Sequence, residues 1–85
     1  MEVVMELIEQ ERQKSGMSAE RFANQVGVTS TTYSRQSNGR QALGIDSIRA
    51  YAKYARKIGN VEILRALGAY ALCLESDEII IHPSK

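Results

Sequence analysis

Few side chains in this 85-residue chain can do covalent chemistry, and those few stand alone. One cysteine, Cys73, and one histidine, His82, are too few to build a zinc site. Cys73 lies in the apolar run from Ala69 to Leu74, the setting of an inert core thiol and not of an activated thiolate. His82, next to Pro83, reads as an exposed residue with no special role. There is no glycine-rich phosphate loop and no nucleophile–base pair, so neither an enzyme nor a bound cofactor is expected. What remains is cationic and hydroxylic. Arg35 carries a guanidinium, the group that can bond O6 and N7 of a guanine together. It follows a run of short hydroxyl residues, Thr29-Ser30-Thr31-Thr32, and then Ser34. Such side chains at a helix N-terminus both cap it and reach phosphates and base edges.

The stretch that must position these groups runs from Ser18 to Arg40 and reads as helix, tight turn, helix, stop. Ser18 is a good N-cap, with Glu20 favourably placed in the first turn. Phe22, Ala23 and Val26 fall on one helical face. Gly27 lets the chain reverse at positive φ. Thr29 caps the second helix, and Asn38-Gly39 ends it. The small side chain of Ala23 allows a close, steep crossing. Propensity alone assigns the Thr- and Ser-rich second segment to a loop; the caps and spacing argue for a helix. This is the pattern of a helix-turn-helix, whose second helix enters a DNA major groove.

The segment resembles the helix-turn-helix of the lambda-repressor and Cro-like (XRE-type) family. The twenty-residue family motif fits Ala19 to Asn38 without gaps. Its small fifth residue is Ala23, its turn glycine Gly27, and its apolar positions are Phe22, Val26, Val28 and Tyr33. The frequent Asn-Gly ending is Asn38-Gly39. Arg12-x-x-x-Gly16-Met17-Ser18 before the motif, and an amphipathic helix after Ala42-Leu43, also agree. The resemblance covers roughly Leu7 to Leu67. It departs at two places: Gln36 stands where the motif usually has an apolar residue, and Ser37 where several members have a Glu that pairs with the equivalent of Arg12. The expectation is therefore an Arg12 left free for a phosphate.

The resemblance implies a mainly α domain of five helices. Family positions that touch bases fall on Ser30 and Thr31; Thr32 and Ser34 join them by proximity, and Arg35 by its chemistry. Family phosphate positions fall on Arg12, Asn38 and Arg40, and Ser18 at a helix N-terminus is a further one. Charge supports this. The net charge is only +1, but residues 12–57 hold nine bases against two acids, a net +7. Residues 2–11 hold four acids and no base, and residues 58–85 are net −2. The basic block coincides with the proposed binding unit, as phosphate contact requires. The bland reading of the same charges is solvated helix faces.

The remaining elements frame that unit. A first helix is expected from about Glu2 to Lys14 with a Val4, Leu7, Ile8 stripe, ended by Gly16. Asp46 is the expected N-cap of a helix to about Ile58, with Ile48, Tyr51, Ala52, Ala55 and Ile58 buried. Arg49, Lys53 and Arg56 share another face of it, as solvated surface or a contact with DNA backbone. Asn60 caps the next helix, with Ile63, Leu64 and Leu67 buried and Gly68 at its end. The aromatics are spaced as core residues except Tyr33, expected near the protein–DNA boundary. Residues 1–68 then form the binding domain. Residues 69–85 form a β-element, with Tyr70, Leu72 and Leu74 on one face of a first strand, and Ile79 and Ile81 on one face of a second. The competing reading extends the preceding helix through Leu74.

A chain this short buries only about 60–65% of its unfolded surface, so association is expected. A homodimer built through the C-terminal segment would act on a palindromic operator as a transcriptional regulator, most simply a repressor. Two rivals remain open: a DNA-binding antitoxin that also holds a toxin protein, and an adaptor that binds only protein. No apolar run approaches a membrane span, the acidic N-terminus is no secretory signal, and a lone cysteine suits a reducing cytoplasm.

Overall fold

The computed structural model describes the backbone of residues 3–81 and the side chains of residues 3–72. Five helices follow one another: α1 (Val3–Ser15), α2 (Ala19–Val26), α3 (Ser30–Ser37), α4 (Ile45–Ile58) and α5 (Val61–Ile81). No strand occurs among the described residues. The expectations for Glu2, for the side chains of Cys73, Leu74, Ile79 and Ile81, and for His82 and Pro83 lie outside the described residues.

Phe22 of α2 sits at the centre. Its ring meets Tyr33 of α3 edge-on at 5.4 Å and Tyr54 of α4 at 5.3 Å. Such edge-to-face pairs add about 0.5–1.5 kcal/mol each beyond area burial. Val4, Met5 and Ile8 close the core from α1, Tyr51 and Ala55 from α4, and Ile63 and Leu67 from α5. Buried Ala23 gives the small contact the α2 crossing needs. Met5, fully buried, extends the expected α1 stripe, while Leu7 only flanks the core.

Local chemistry sets most element ends. Gly16, Gly27 and Gly59 take φ of 72°, 100° and 72°, and each ends a helix. Asn60 accepts from the Ile63 N–H through Oδ1 at 3.0 Å, as an N-cap should. Its Nδ2 donates to Glu11 Oε1 at 3.0 Å, so Glu11 near the apolar stripe of α1 ties that helix to the start of α5.

Three features, two in α4 and one in α5, differ from expectation. Asp46 is not the cap of α4: the helix begins at Ile45, two residues earlier than an Asp46 cap implies, and its N-cap is Gly44, which makes no side-chain cap bond. The chain is fixed just before that point, because Leu43 is buried and its N–H donates to the Tyr70 hydroxyl at 3.2 Å. Asp46 instead lies in the first turn, where its charge suits the helix dipole. Ile58 is 40% exposed, and Tyr54 takes the buried place, because α4 outruns the core at its last residue. Finally, α5 passes through Gly68 without a positive φ and continues to Ile81, where a strand pair was expected from Ala69. Ala69, Ala71, Leu72, Leu74 and Glu75 are strong helix formers. Tyr70 also packs against the core in helical register.

Candidate nucleic-acid interface

α2, the turn and α3 form one unit. The Ser18 hydroxyl accepts from the Arg21 N–H at 3.1 Å and starts α2. Gly27 N–H and Val28 N–H both donate to the Ala23 carbonyl, at 2.8 and 3.0 Å, and close its end. One residue later, Thr29 Oγ1 accepts from the Thr32 N–H at 3.1 Å and starts α3. At the far end the Asn38 N–H donates to the Ser34 carbonyl, and Gly39 turns the chain with φ 74°.

α3 is eight residues long and buries only two of them, Tyr33 and Gln36. A helix of this length and composition does not hold itself together in water, so these two contacts and its caps define its place. The Tyr33 hydroxyl donates to Glu9 Oε1 of α1. Tyr33 therefore lies in the core, not at the boundary of the unit. Burial and the Glu9 carboxylate both push its phenol well above the ordinary tyrosine range. Gln36, 1% exposed, spans to α4: Nε2 donates to Ser47 Oγ at 2.8 Å, and Oε1 accepts from the Tyr51 hydroxyl at 2.7 Å. Tyr51 is likewise raised, chiefly by burial. The departure of Gln36 from the apolar pattern is thus accommodated by two hydroxyls of α4, and no buried side-chain polar atom among the described residues lacks a partner.

The opposite side of α3 is open. Ser30, Thr31, Ser34 and Arg35 are exposed, as are Asn38 and Arg40 just beyond the helix. Thr31, Arg35 and Asn38 follow one another at helical spacing, with Ser30 and Ser34 alongside. Thr32 is half-buried, and its hydroxyl accepts from Thr29 at 2.9 Å within the cap, which separates it from the other four. Ser18 is exposed at the start of α2. Between α2 and the start of α3 lies an open groove lined by Arg21, Asn24, Val28, Thr29 and Ser30, among others. Arg21 and Asn24 were not marked by the sequence reading; their spacing of three on the exposed face of α2 was the available signal.

Arg12 is not free. Its Nε donates to Glu9 Oε1 at 2.8 Å, one terminal nitrogen reaches Glu9 Oε2 at 3.3 Å, and the other donates to the Met17 carbonyl at 2.8 Å. The carboxylate missing at Ser37 is supplied from within α1, three residues before Arg12. Glu9 is held below the ordinary carboxylate range, first by its hydrogen bond from Arg12, with burial opposing and Tyr33 helping. Arg12 is raised correspondingly, with Glu9 as the main cause. Glu9 is thus a residue that sequence reading missed: it joins α1 to α3 through Tyr33, and its partner Arg12 carries the link to Met17 before α2.

Arg49, Lys53 and Arg56 are all exposed on α4. Among the described residues no three His, Cys, Asp or Glu side chains gather as a metal site, and no helix is long and apolar enough to cross a membrane. No family model matches the chain, and neither does any curated protein or solved structure.

Proposed function

We propose that the protein is a sequence-specific DNA-binding regulator of the lambda-repressor/Cro-like type, acting as a homodimer on a roughly palindromic operator. The observation that carries this reading is the division of α3 into two sides. Tyr33 and Gln36 tie one side to α1 and α4, while Ser30, Thr31, Ser34 and Arg35 are exposed on the other, where Ser34 Oγ accepts only from Asn38 Nδ2 at 3.5 Å. The fold makes no use of those four side chains for its own packing. In the major groove, Arg35 reads guanine bidentately, and the hydroxyls of Ser30, Thr31 and Ser34 meet neighbouring base edges. Thr32 serves the cap, so it contributes through the pose of α3. Ser18, Asn38 and Arg40 hold phosphates, and Arg21 beside the groove joins them. Arg12, engaged with Glu9 and Met17, acts as a brace behind the unit. The net +7 of residues 12–57 supports the same reading. In this proposal the C-terminal segment, residues 69–85, supplies the dimer contact and sets the two α3 helices about 34 Å apart, one turn of DNA.

Selection from random duplexes followed by titration in rising salt tests the reading. With five to eight phosphates neutralised per dimer, log K against log salt falls with a slope of roughly −4 to −7, and one palindromic site is enriched. A flat salt response, or no binding at low salt, favours a protein-only adaptor and removes the proposal.

A further inference from the structure

Gln36 occupies a place where an apolar side chain would fill the same volume. Its carboxamide instead bridges two hydroxyls that lie one helical turn apart on α4, Ser47 and Tyr51. The three side chains are all buried, at 1%, 9% and 1% exposure for Gln36, Ser47 and Tyr51. Apolar contact is non-directional: a leucine here would tolerate some rotation of α3 about its axis and some sliding along α4. A hydrogen bond weakens steeply away from linearity, and an amide held at both ends permits neither motion. The other buried residue of α3, Tyr33, lies one turn before Gln36 and is tied to α1 through Glu9. Two directional anchors on different neighbours therefore fix both the rotation and the translation of an eight-residue helix.

Such a bridge has a second property. Replacing a whole hydrogen-bonded set by apolar groups of like shape is often neutral in stability, whereas orphaning one member is costly. The bridge is thus better suited to defining one pose than to adding stability. We infer that Gln36, through Ser47 and Tyr51, is a positioning residue that sets the angle at which α3 presents Ser30, Thr31, Ser34 and Arg35, and so determines sequence discrimination. This rests on the DNA-binding reading above. The anchor itself can be examined without DNA.

The experiment uses the full chain carrying Q36L, S47A and Y51F together, which removes every polar member and orphans none. Amide hydrogen exchange in the free protein is the first readout. The α3 amides are expected to lose protection on the order of tenfold relative to α4 and α5, with Tm unchanged or raised. Equal protection of α3 in the two proteins overturns the anchor. The second readout is DNA. The ratio of specific to non-specific affinity is expected to fall on the order of tenfold while the salt slope is kept, because phosphate contacts remain and base contacts blur. Lost protection with an unchanged ratio overturns the link to discrimination. A wild-type chain that binds no duplex at any salt removes the DNA reading, and hydrogen exchange alone then decides the anchor. Should the triple variant fail to fold, Y51F alone keeps the ring and deletes one end of the bridge. It leaves Gln36 Oε1 without its donor, so Tm is expected to fall, while α3 protection and the affinity ratio fall in the same sense as in the triple variant at smaller amplitude; wild-type values of both α3 protection and affinity ratio in Y51F overturn the inference.

Discussion

At Glu9 one carboxylate receives Arg12 from its own helix and Tyr33 from α3, while Arg12 reaches on to the Met17 carbonyl. Because the folded Glu9 titrates below its ordinary range, its stabilisation is complete above the unfolded value, about pH 4.3, and disappears as pH falls through the lower folded value. Glu9→Gln keeps an acceptor for Tyr33 and removes the charge. It is expected to flatten the fall of Tm with pH below about pH 4; parallel Tm–pH curves for the two proteins would contradict the ion pair's contribution. At the surface of α3, Arg35→Ala is expected to cost about 1–3 kcal/mol on the selected site and to relax preference at one base pair of each half-site. Arg40→Ala is expected to weaken all sequences alike. Affinity loss without any difference in base preference between the two would show that Arg35 is no reader. The exposure of Ser30, Thr31, Ser34 and Arg35 was legible from their polar character, while the burial of Tyr33 and the engagement of Thr32 in the cap were not. The engagement of Arg12 was not, although Glu9 stands three residues before it. Of the four acids in residues 2–11 only Glu9 stands three or four residues before Arg12 on the same helix, so the overlooked signal was this i, i+3 spacing; what the sequence does not carry is Tyr33 as the third member.

Elements whose ends rest on local chemistry were the readable ones. Ser18, Gly27, Thr29 and Asn60 all act where their side chains, or the lack of one, dictate. The start of α4 escaped because Gly44 leads into it without a cap, in response to a distant partner, Tyr70. The stretch after Gly68 escaped for another reason. Ala69 to Leu74 is apolar throughout, so it carries neither the helical nor the strand period, and neighbours decide its form. Glycine substitution separates the two forms. Gly68 has helical backbone and nothing within 4 Å of an added Cβ. Gly68→Ala is therefore expected to stabilise by about 0.5–1 kcal/mol. Gly59, at φ 72°, is expected to destabilise by about 1 kcal/mol or more on the same change. Thermal unfolding of both variants decides; a destabilised Gly68→Ala would restore a chain reversal at that point.

For the whole molecule, the described packing of α5 reaches Tyr70, whose hydroxyl is fixed to Leu43. A chain ending at Leu72 keeps all of that packing. If residues 73–85 build the dimer, sedimentation at micromolar concentration is expected to show a folded monomer with much weaker operator binding. A truncated chain that stays a dimer of full affinity would move the two-fold contact elsewhere. Within one protomer, the two sides of α3 obey different constraints. Ser30, Thr31, Ser34 and Arg35 can be exchanged for other residues without disturbing the interior, since none of them is buried. Gln36 cannot be exchanged alone, because Ser47 and Tyr51 would be left without their partner. Transplanting a complete second helix from a protein with an apolar residue at that place would thus fail here, while grafting only its outward residues would succeed. On the proposed DNA-binding reading, the outward residues of α3 are rewritable, while Gln36, Ser47 and Tyr51, which hold the helix, can change only as a matched set.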